Sequence, residues 1–254
     1  MNKIRFEFLD GIRGLAAIWV VLYHSMLFNG YTESIIWSNN IFINCLQKPL
    51  SIGRLAVSIF IVLSGFCLAI PVVNNNLQLK GGFNRYIKRR AKRLIPPYYA
   101  ALALSIGLIY LFPILNTPFD TAWDSKIPIT FGAVLSHLLL VHNLNTDWIF
   151  KLNGAHWSIA TEWQIYWFFP LMLILWRKVN LYFSFFIILV LAVILFKIVP
   201  LAAPEFLVLF FMGVICCYFS FKAGSIKRIN LPLSMIALLV CLTAFIIKKT
   251  SPLI

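Results

Sequence analysis

The stretch Leu181–Val199 reads LYFSFFIILVLAVILFKIV, and its single charge is Lys197, close to the end. About 20 consecutive apolar residues are what a helix needs to cross the hydrocarbon core of a bilayer. The apolar residues here are continuous. A lipid-facing barrel strand would alternate them with polar ones. Backbone amides and carbonyls cannot stay unpaired in lipid, so a continuous apolar run that enters it must be helical. Working outward from this stretch, runs of the same kind occupy 11–29, 55–73, 94–115, 157–176, 206–221 and 231–247. A shorter one, 127–141, falls below spanning length.

Composition agrees with the pattern. Of 254 residues, 61% are hydrophobic and 12% charged, and the mean hydropathy is +0.88. A soluble domain is about 25% charged and could not cover so much apolar surface. The expected fold is therefore all-α: a polytopic bundle with seven or eight spans in a single integral-membrane domain, 1–254. The apolar run that begins after Asp10 holds Arg13 and lacks a small-residue cleavage site, so it does not read as a cleavable signal. Cys45, Cys67, Cys216, Cys217 and Cys241 show no CxxC spacing. Most lie in apolar runs, where cysteine behaves as a small hydrophobe, and neither a disulfide framework nor a metal site is expected.

The net charge of +14 would suggest nucleic acid in a soluble protein. In a membrane protein it marks basic cytoplasmic loops, and no nucleic-acid partner is expected. Segment 74–93 carries Lys80, Arg85, Lys88, Arg89, Arg90, Lys92 and Arg93 with no acidic residue, so it is placed in the cytoplasm. Counting back through two spans puts the N-terminus there as well. If 127–141 is re-entrant or lies flat, the basic pair Arg177–Lys178 and the Lys222–Arg228 loop also fall inside, which is the preferred arrangement. The expected location is the inner, cytoplasmic membrane.

An ionisable side chain at membrane depth costs roughly 2.5–3.5 kcal/mol on insertion scales, which makes function the first hypothesis. Arg13 and His24 are eleven residues apart (24 − 13) in the first span. At 100° per residue that is about 20° past three turns, so the two share a face roughly 16 Å apart. Taken singly, Arg13 reads as snorkelling to headgroups and His24 as bonding a neighbouring helix. On one face, they read as two stations on a path. In His156-Trp157-Ser158-Ile159-Ala160-Thr161-Glu162-Trp163-Gln164-Ile165-Tyr166, residues Ser158, Glu162 and Tyr166 repeat every four and form one polar stripe. A carboxylate there can orient an imidazole and raise its basicity; the plainer reading is an acid placed by the dipole at a helix start. The run Arg89-Arg90-Ala91-Lys92-Arg93-Leu94-Ile95-Pro96-Pro97 reads as a basic stop closed by prolines at the next helix start. Its arginine density also suits phosphate oxygens. Ser64-Gly65, inside the second span, reads first as small residues for close helix packing.

These motifs together resemble the membrane acyltransferase 3 family, which contains bacterial O-acetyltransferases of surface polysaccharides. Phe8-Leu9-Asp10-Gly11-Ile12-Arg13-Gly14-Leu15, followed by Tyr23-His24, is similar to that family's first helix. Ser64-Gly65-Phe66 resembles its Ser-Gly-Phe, Arg89 to Pro96 its arginine-rich approach to the third helix, and Trp157-Ser158-Ile159 with Glu162 and Tyr166 its tryptophan–serine segment. The resemblance covers residues 6–170.

It implies transfer of an acyl group, acetyl first, from cytoplasmic acyl-CoA to a carbohydrate hydroxyl across the lipid bilayer, with no metal. On that reading His24 and Glu162 are catalytic. Arg89, Arg90 and Arg93 hold CoA phosphates, Arg13 guides the thioester arm, and Asp10, Ser64 and Tyr166 complete the binding groups. The spans are fewer than is usual for the family, which implies a chain incomplete at its C-terminal end. The rival from another class is a transporter or flippase for a lipid-linked glycan. That class predicts two related halves or paired broken helices, and neither is visible in the sequence.

Overall fold

A computed structural model describes residues 7–28 and 52–222. The expected span 231–247 lies outside the described residues. Seven α-helices follow one another among them: α1 Glu7–Phe28, α2 Gly53–Val73, α3 Gly82–Leu111, α4 Phe131–Leu138, α5 His156–Lys178, α6 Leu181–Ile198 and α7 Glu205–Lys222. Short 3-10 turns cover Pro113–Asn116, Ala122–Lys126, His142–Leu144 and Pro200–Ala202. No strand occurs among the described residues. Four stretches, Gly53–Val73, Gly82–Leu111, Leu181–Ile198 and Pro200–Phe221, are long and apolar enough to cross a membrane. The protein is an all-α membrane protein.

Helix α6 shows how the sequence solves the lipid problem. Only Ser184, Ile188 and Ala192 are buried on it, at steps of four residues, so a single narrow stripe meets protein. Tyr182, Phe183, Phe186, Val193, Ile194 and Ile198 are exposed around the rest. In water that surface would be a large unexplained patch; in lipid it is the expected outer face. Asn180 caps the helix by accepting from the Phe183 amide at 2.8 Å.

The structure corrects two expectations, both at the third span. The third span, read as 94–115, is part of a 30-residue helix that starts at Gly82 and ends at Leu111. The basic run is therefore the first half of α3 and not a loop before it. Two left-handed glycines, Gly81 (φ +82°) and Gly82 (φ +76°), turn the chain into this helix. Pro96 and Pro97 sit in its interior, not at its start. Each proline lacks the amide that would reach the carbonyl four residues back, which leaves Lys92 and Arg93 short of an intrahelical donor. In keeping with its short apolar run, the stretch 127–141 does not form a span: it holds α4, with 8 residues, far below the roughly 20 a crossing requires.

The described residues fall into two compact units, divided after Ala69 and after Phe211. In the unit that holds α1, most of α2 and α7 from Met212 onward, the contacts are backbone-close. A Cβ added at Gly213 would lie 2.1 Å from the Val62 carbonyl oxygen, and one at Gly53 would lie 2.2 Å from the Tyr23 ring. Small residues at such crossings let helix backbones approach closely in membranes.

In the second unit, Ile70–Phe211, α3 packs on α5. The Tyr86 hydroxyl donates to the Tyr166 carbonyl at 3.1 Å. A buried core gathers Tyr98, Leu102, Leu140, Leu152 and Ala160. Two successive tyrosines of α3 hold the end of α4: Tyr98 donates to the His137 carbonyl at 2.8 Å and Tyr99 to the Leu138 carbonyl at 2.6 Å. These carbonyls belong to the last turn of a helix, where the intrahelical ladder runs out; the His137 carbonyl also accepts from the Leu140 amide at 3.1 Å. The first turns of α7 face α5 through Trp157–Phe206, Phe169–Phe210 and Trp176–Phe211 ring contacts of 5.5–6.0 Å.

Candidate functional site

His24 lies half-buried on α1. Its Nδ1 sits 2.8 Å from the Val20 carbonyl oxygen, four residues back. A carbonyl only accepts, so Nδ1 carries the proton, and in the neutral ring Nε2 is left as the basic nitrogen. Tyr23 meets the ring edge-on at 5.3 Å. Because residues 7–28 are one continuous helix, the co-facial spacing of Arg13 and His24 is realised, about 16 Å along the axis. Arg13 is half-buried, Asp10 is exposed on the first turns of the same helix, and Ser64 is buried in α2.

The remaining residues singled out from sequence lie in the second unit. Glu162 accepts a hydrogen bond from the Tyr166 hydroxyl one turn on, so that half of the polar stripe forms a real pair. Ser158 instead turns back onto its own helix, donating to the Ala155 carbonyl at 3.1 Å. Arg89 and Arg93 are exposed on α3, and Arg89 donates to the Lys80 carbonyl at 3.3 Å. Arg90 is half-buried, and its Nε has no hydrogen-bond partner among the described residues.

The structure also assembles a cluster that the sequence did not disclose. His137, His142 and His156 are three of the chain's four histidines, and all three are buried, at 0%, 0% and 2% exposure. The His137 and His142 rings stack with centroids 3.8 Å apart and planes within 8°. Tyr98 lies 4.7 Å from His156 and 6.4 Å from His142. His137 Nδ1 donates to the Ala133 carbonyl at 2.8 Å. Nδ1 of His156 makes no hydrogen bond among the described residues. Backbone hydrogen bonds between Lys151 and His137, and between His142 and both His156 and Ser136, favour the charged rings and oppose the effect of burial. Burial, then the His137 neighbour, pushes His142 down to about 3. Burial also lowers His137. Both rings are neutral near pH 7.

Beside the cluster the polar groups are well matched. Asn143 donates to Gln164 Oε1 at 3.1 Å, and Gln164 returns a bond to Asn143 Oδ1 at 2.8 Å. Asn143 also donates to Thr161 at 3.1 Å, and Gln164 donates to the Leu140 carbonyl at 3.2 Å. Lys126 is buried and donates to Ser125 Oγ and to the Ala122 carbonyl at 3.2 Å. Burial, and then the nearby Lys151, lowers it to about 8. Among the described residues no group of three or more His, Cys, Asp or Glu side chains is arranged to hold a metal ion.

Comparison with known proteins places the chain. A family model described as an acyltransferase domain matches residues 6–248. "Protein 2 in picA locus" of Rhizobium radiobacter is 31% identical over 168 residues, 64% of this chain and 76% of that protein. "Acyltransferase MdmB" of Streptomyces mycarofaciens is 26% identical over 178 residues, 69% of this chain and 41% of its own length. "Putative peptidoglycan O-acetyltransferase YrhL" of Bacillus subtilis (strain 168) is 28% identical over 177 residues, 65% of this chain and 23% of its own length. The matched region thus spans less than half of the last two relatives. No solved structure matches the chain.

Proposed function

Because the chain belongs to the acyltransferase 3 family, we propose that it moves an acyl group, acetyl in the simplest case, from cytoplasmic acyl-CoA to a hydroxyl of a cell-surface or exported carbohydrate. The observation that carries this reading is the family match, which runs across nearly the whole chain and includes every motif residue from Asp10 to Tyr166. The name of the Bacillus relative supports a carbohydrate hydroxyl as acceptor. The spanning helices support an inner-membrane location, and the basic first half of α3 supports a cytoplasmic N-terminus and a cytoplasmic donor.

His24 acts as the base. With Nδ1 held on the Val20 carbonyl, Nε2 takes the proton of the acceptor hydroxyl. The oxygen attacks the thioester carbonyl carbon, the carbon–sulfur bond breaks, and the departing thiolate recovers the proton from the imidazolium. Arg13, on the same face of α1, guides the thioester arm, with Asp10 and Ser64 among the binding groups. Arg89, Arg90 and Arg93 hold the CoA phosphates, for which forked guanidinium donors are suited. Glu162, which accepts from Tyr166, is the second catalytic group of this reading.

Mass spectrometry of surface glycans from cells with and without the gene tests the proposal. The expected result is a glycan lighter by one acyl group when the gene is absent. Unchanged glycan acylation, or glycan export that fails without any change in acylation, overturns it.

A further inference from the structure

We propose that the outward face of α4 and of the turn after it, formed by Phe131, Leu135, Leu138, Leu139, Val141 and Leu144, is covered by the acyl chains of lipids in the leaflet farther from the basic half of α3. The connection between α3 and α5 is then folded into the bilayer instead of lying above it. The inference does not depend on the acyltransferase reading.

The first observation is an inverted polarity. Between residues 131 and 144 every exposed side chain is apolar, from Phe131 at 82% exposure to Leu144 at 46%. The polar side chains of the same stretch, Ser136, His137, His142 and Asn143, are all buried, at 3% exposure or less. A connection in water arranges the two kinds the other way round. The stretch carries no Lys, Arg, Asp or Glu. On α4 the exposed positions 131, 135 and 138 follow helical spacing, so they form one stripe. The opposite side, Ala133, Ser136 and His137, meets protein.

The second observation is depth along α3. Tyr98 and Tyr99 donate to the His137 and Leu138 carbonyls at the end of α4. Tyr98 stands thirteen residues before Leu111 (111 − 98), the last residue of α3, which is roughly 20 Å along the axis. Pro96 and Pro97 come before Tyr98, so no proline interrupts that length. Helical side chains lean toward the N-terminus of their helix, so the two hydroxyls lie no nearer to Leu111 than their own Cα atoms do. On the same length Leu104, Leu108 and Leu111 are exposed, and α3 is long and apolar enough to cross a membrane. A bilayer that covers those leucines therefore reaches the end of α4 as well. The lipid-facing surface of α3 and the apolar face of α4 share one depth.

The third observation is how the backbone is served where α4 ends. Lipid offers no hydrogen bonds, so irregular backbone at membrane depth needs partners from the protein. Here three neighbouring carbonyls each receive a side-chain donor: Tyr98 on His137 at 2.8 Å, Tyr99 on Leu138 at 2.6 Å and Gln164 on Leu140 at 3.2 Å. A helix end in water can leave such carbonyls to solvent. Supplying all three from α3 and α5 is what a segment in lipid requires.

The test uses cysteines on the full chain. Phe131→Cys, Leu135→Cys and Leu138→Cys probe the face, and Asn116→Cys, exposed in the turn after α3, reports contact with water. The purified proteins, in liposomes, meet a charged maleimide on both sides of the membrane, and the signal of the wild type with its five native cysteines is subtracted. Reaction at the three α4 positions should be at least tenfold slower than at Asn116→Cys. A fluorescent maleimide attached at the same positions before reconstitution should be quenched by nitroxide groups on phospholipid acyl chains at least twice as strongly as at position 116. Maleimide reaction within twofold of the Asn116→Cys rate overturns the proposal and leaves the face in water. Slow reaction without acyl-chain quenching also overturns it, because protein, such as a second copy of the chain, then covers the face. Neither readout involves acyl transfer, so the outcome is separate from that of the glycan experiment.

Discussion

His137 and His142 stack face to face with centroids 3.8 Å apart and planes within 8°, wholly buried. Two imidazolium ions could not tolerate that distance in a dry interior, where like charges repel strongly. The arrangement therefore requires both rings to be neutral, and several consequences can be measured.

Stability should fall on the acid side. The unfolded chain binds protons on these rings below about pH 6.5, whereas folded His142 resists protonation until about pH 3. Between those values the unfolded state holds more protons, so each pH unit downward removes about 1.4 kcal/mol through His142. The stabilisation is complete above about pH 6.5 and is lost progressively toward pH 3. Thermal unfolding in detergent micelles at pH 7.5, 6.5 and 5.5 checks this. The wild-type Tm should drop over the lower step, and His142→Phe should drop less. Identical slopes in the two proteins would rule the explanation out.

A second pH effect lies on the alkaline side and has the same origin. Burial, with Lys151 next to it, lowers Lys126 from 10.5 to about 8 in the folded protein. Between pH 8 and 10.5 the unfolded chain holds the proton that the folded chain has released. Stability therefore rises with pH across that window, by about 1.4 kcal/mol per unit. Lys126→Met removes the titrating group, so its stability should not rise across the same window. The measurement is Tm at pH 8, 9 and 10 for both proteins; parallel curves would contradict it.

The close contact between α2 and α7 should be intolerant of a single methyl. At Gly213 a Cβ would stand 2.1 Å from the Val62 carbonyl oxygen and 2.9 Å from the Phe66 amide nitrogen. Both obstacles are helix backbone and cannot rotate away. Gly213→Ala should cost at the upper end of the roughly 1–3 kcal/mol typical of overpacking, read as a lowered Tm. Gly107→Ala is the control, since nothing lies within 4 Å of its added Cβ. Equal Tm values in the two variants would mean that the helices do not meet as described.

Much of the fold was legible because lipid imposes a one-dimensional rule on the sequence. The run 181–199 became α6, Leu181–Ile198, and 157–176 became α5, His156–Lys178. Hydropathy failed at α3 because a helix need not stop where the bilayer does. Arg85, Lys88 and Arg89 ride on its exposed, water-compatible first turns, so only the portion beyond Leu94 carried an apolar signal. Arg13 and His24 were legible for the same reason as α6, since an ionisable residue stands out against an apolar run. The three clustered histidines were not. They lie on a short helix, a 3-10 turn and the start of α5, and left-handed turns at Leu140 and Leu152 bring them together. Leucine carries no signal for such a turn, as glycine would. Only the density of histidine in 137–156, three of the chain's four, hinted at convergence.

The strongest demand falls on His24. Its Nδ1 is engaged by Val20 on the same helix, so its orientation does not depend on another element, and replacing it removes little of the fold. His24→Ala and His24→Gln should both express and unfold near the wild-type temperature. Neither offers a base at the Nε2 position; the Gln amide supplies hydrogen bonds there without basicity. General-base assistance contributes typically 10²–10⁴-fold, so acyl transfer should fall at least a hundredfold in both variants. Arg13→Ala should behave differently, raising the donor KM more than it lowers kcat, because its proposed role is guidance of the thioester arm. If the Gln variant of His24 keeps substantial activity while the Ala variant loses it, hydrogen bonding rather than proton transfer is the function of that ring, and the base must be sought elsewhere in the chain.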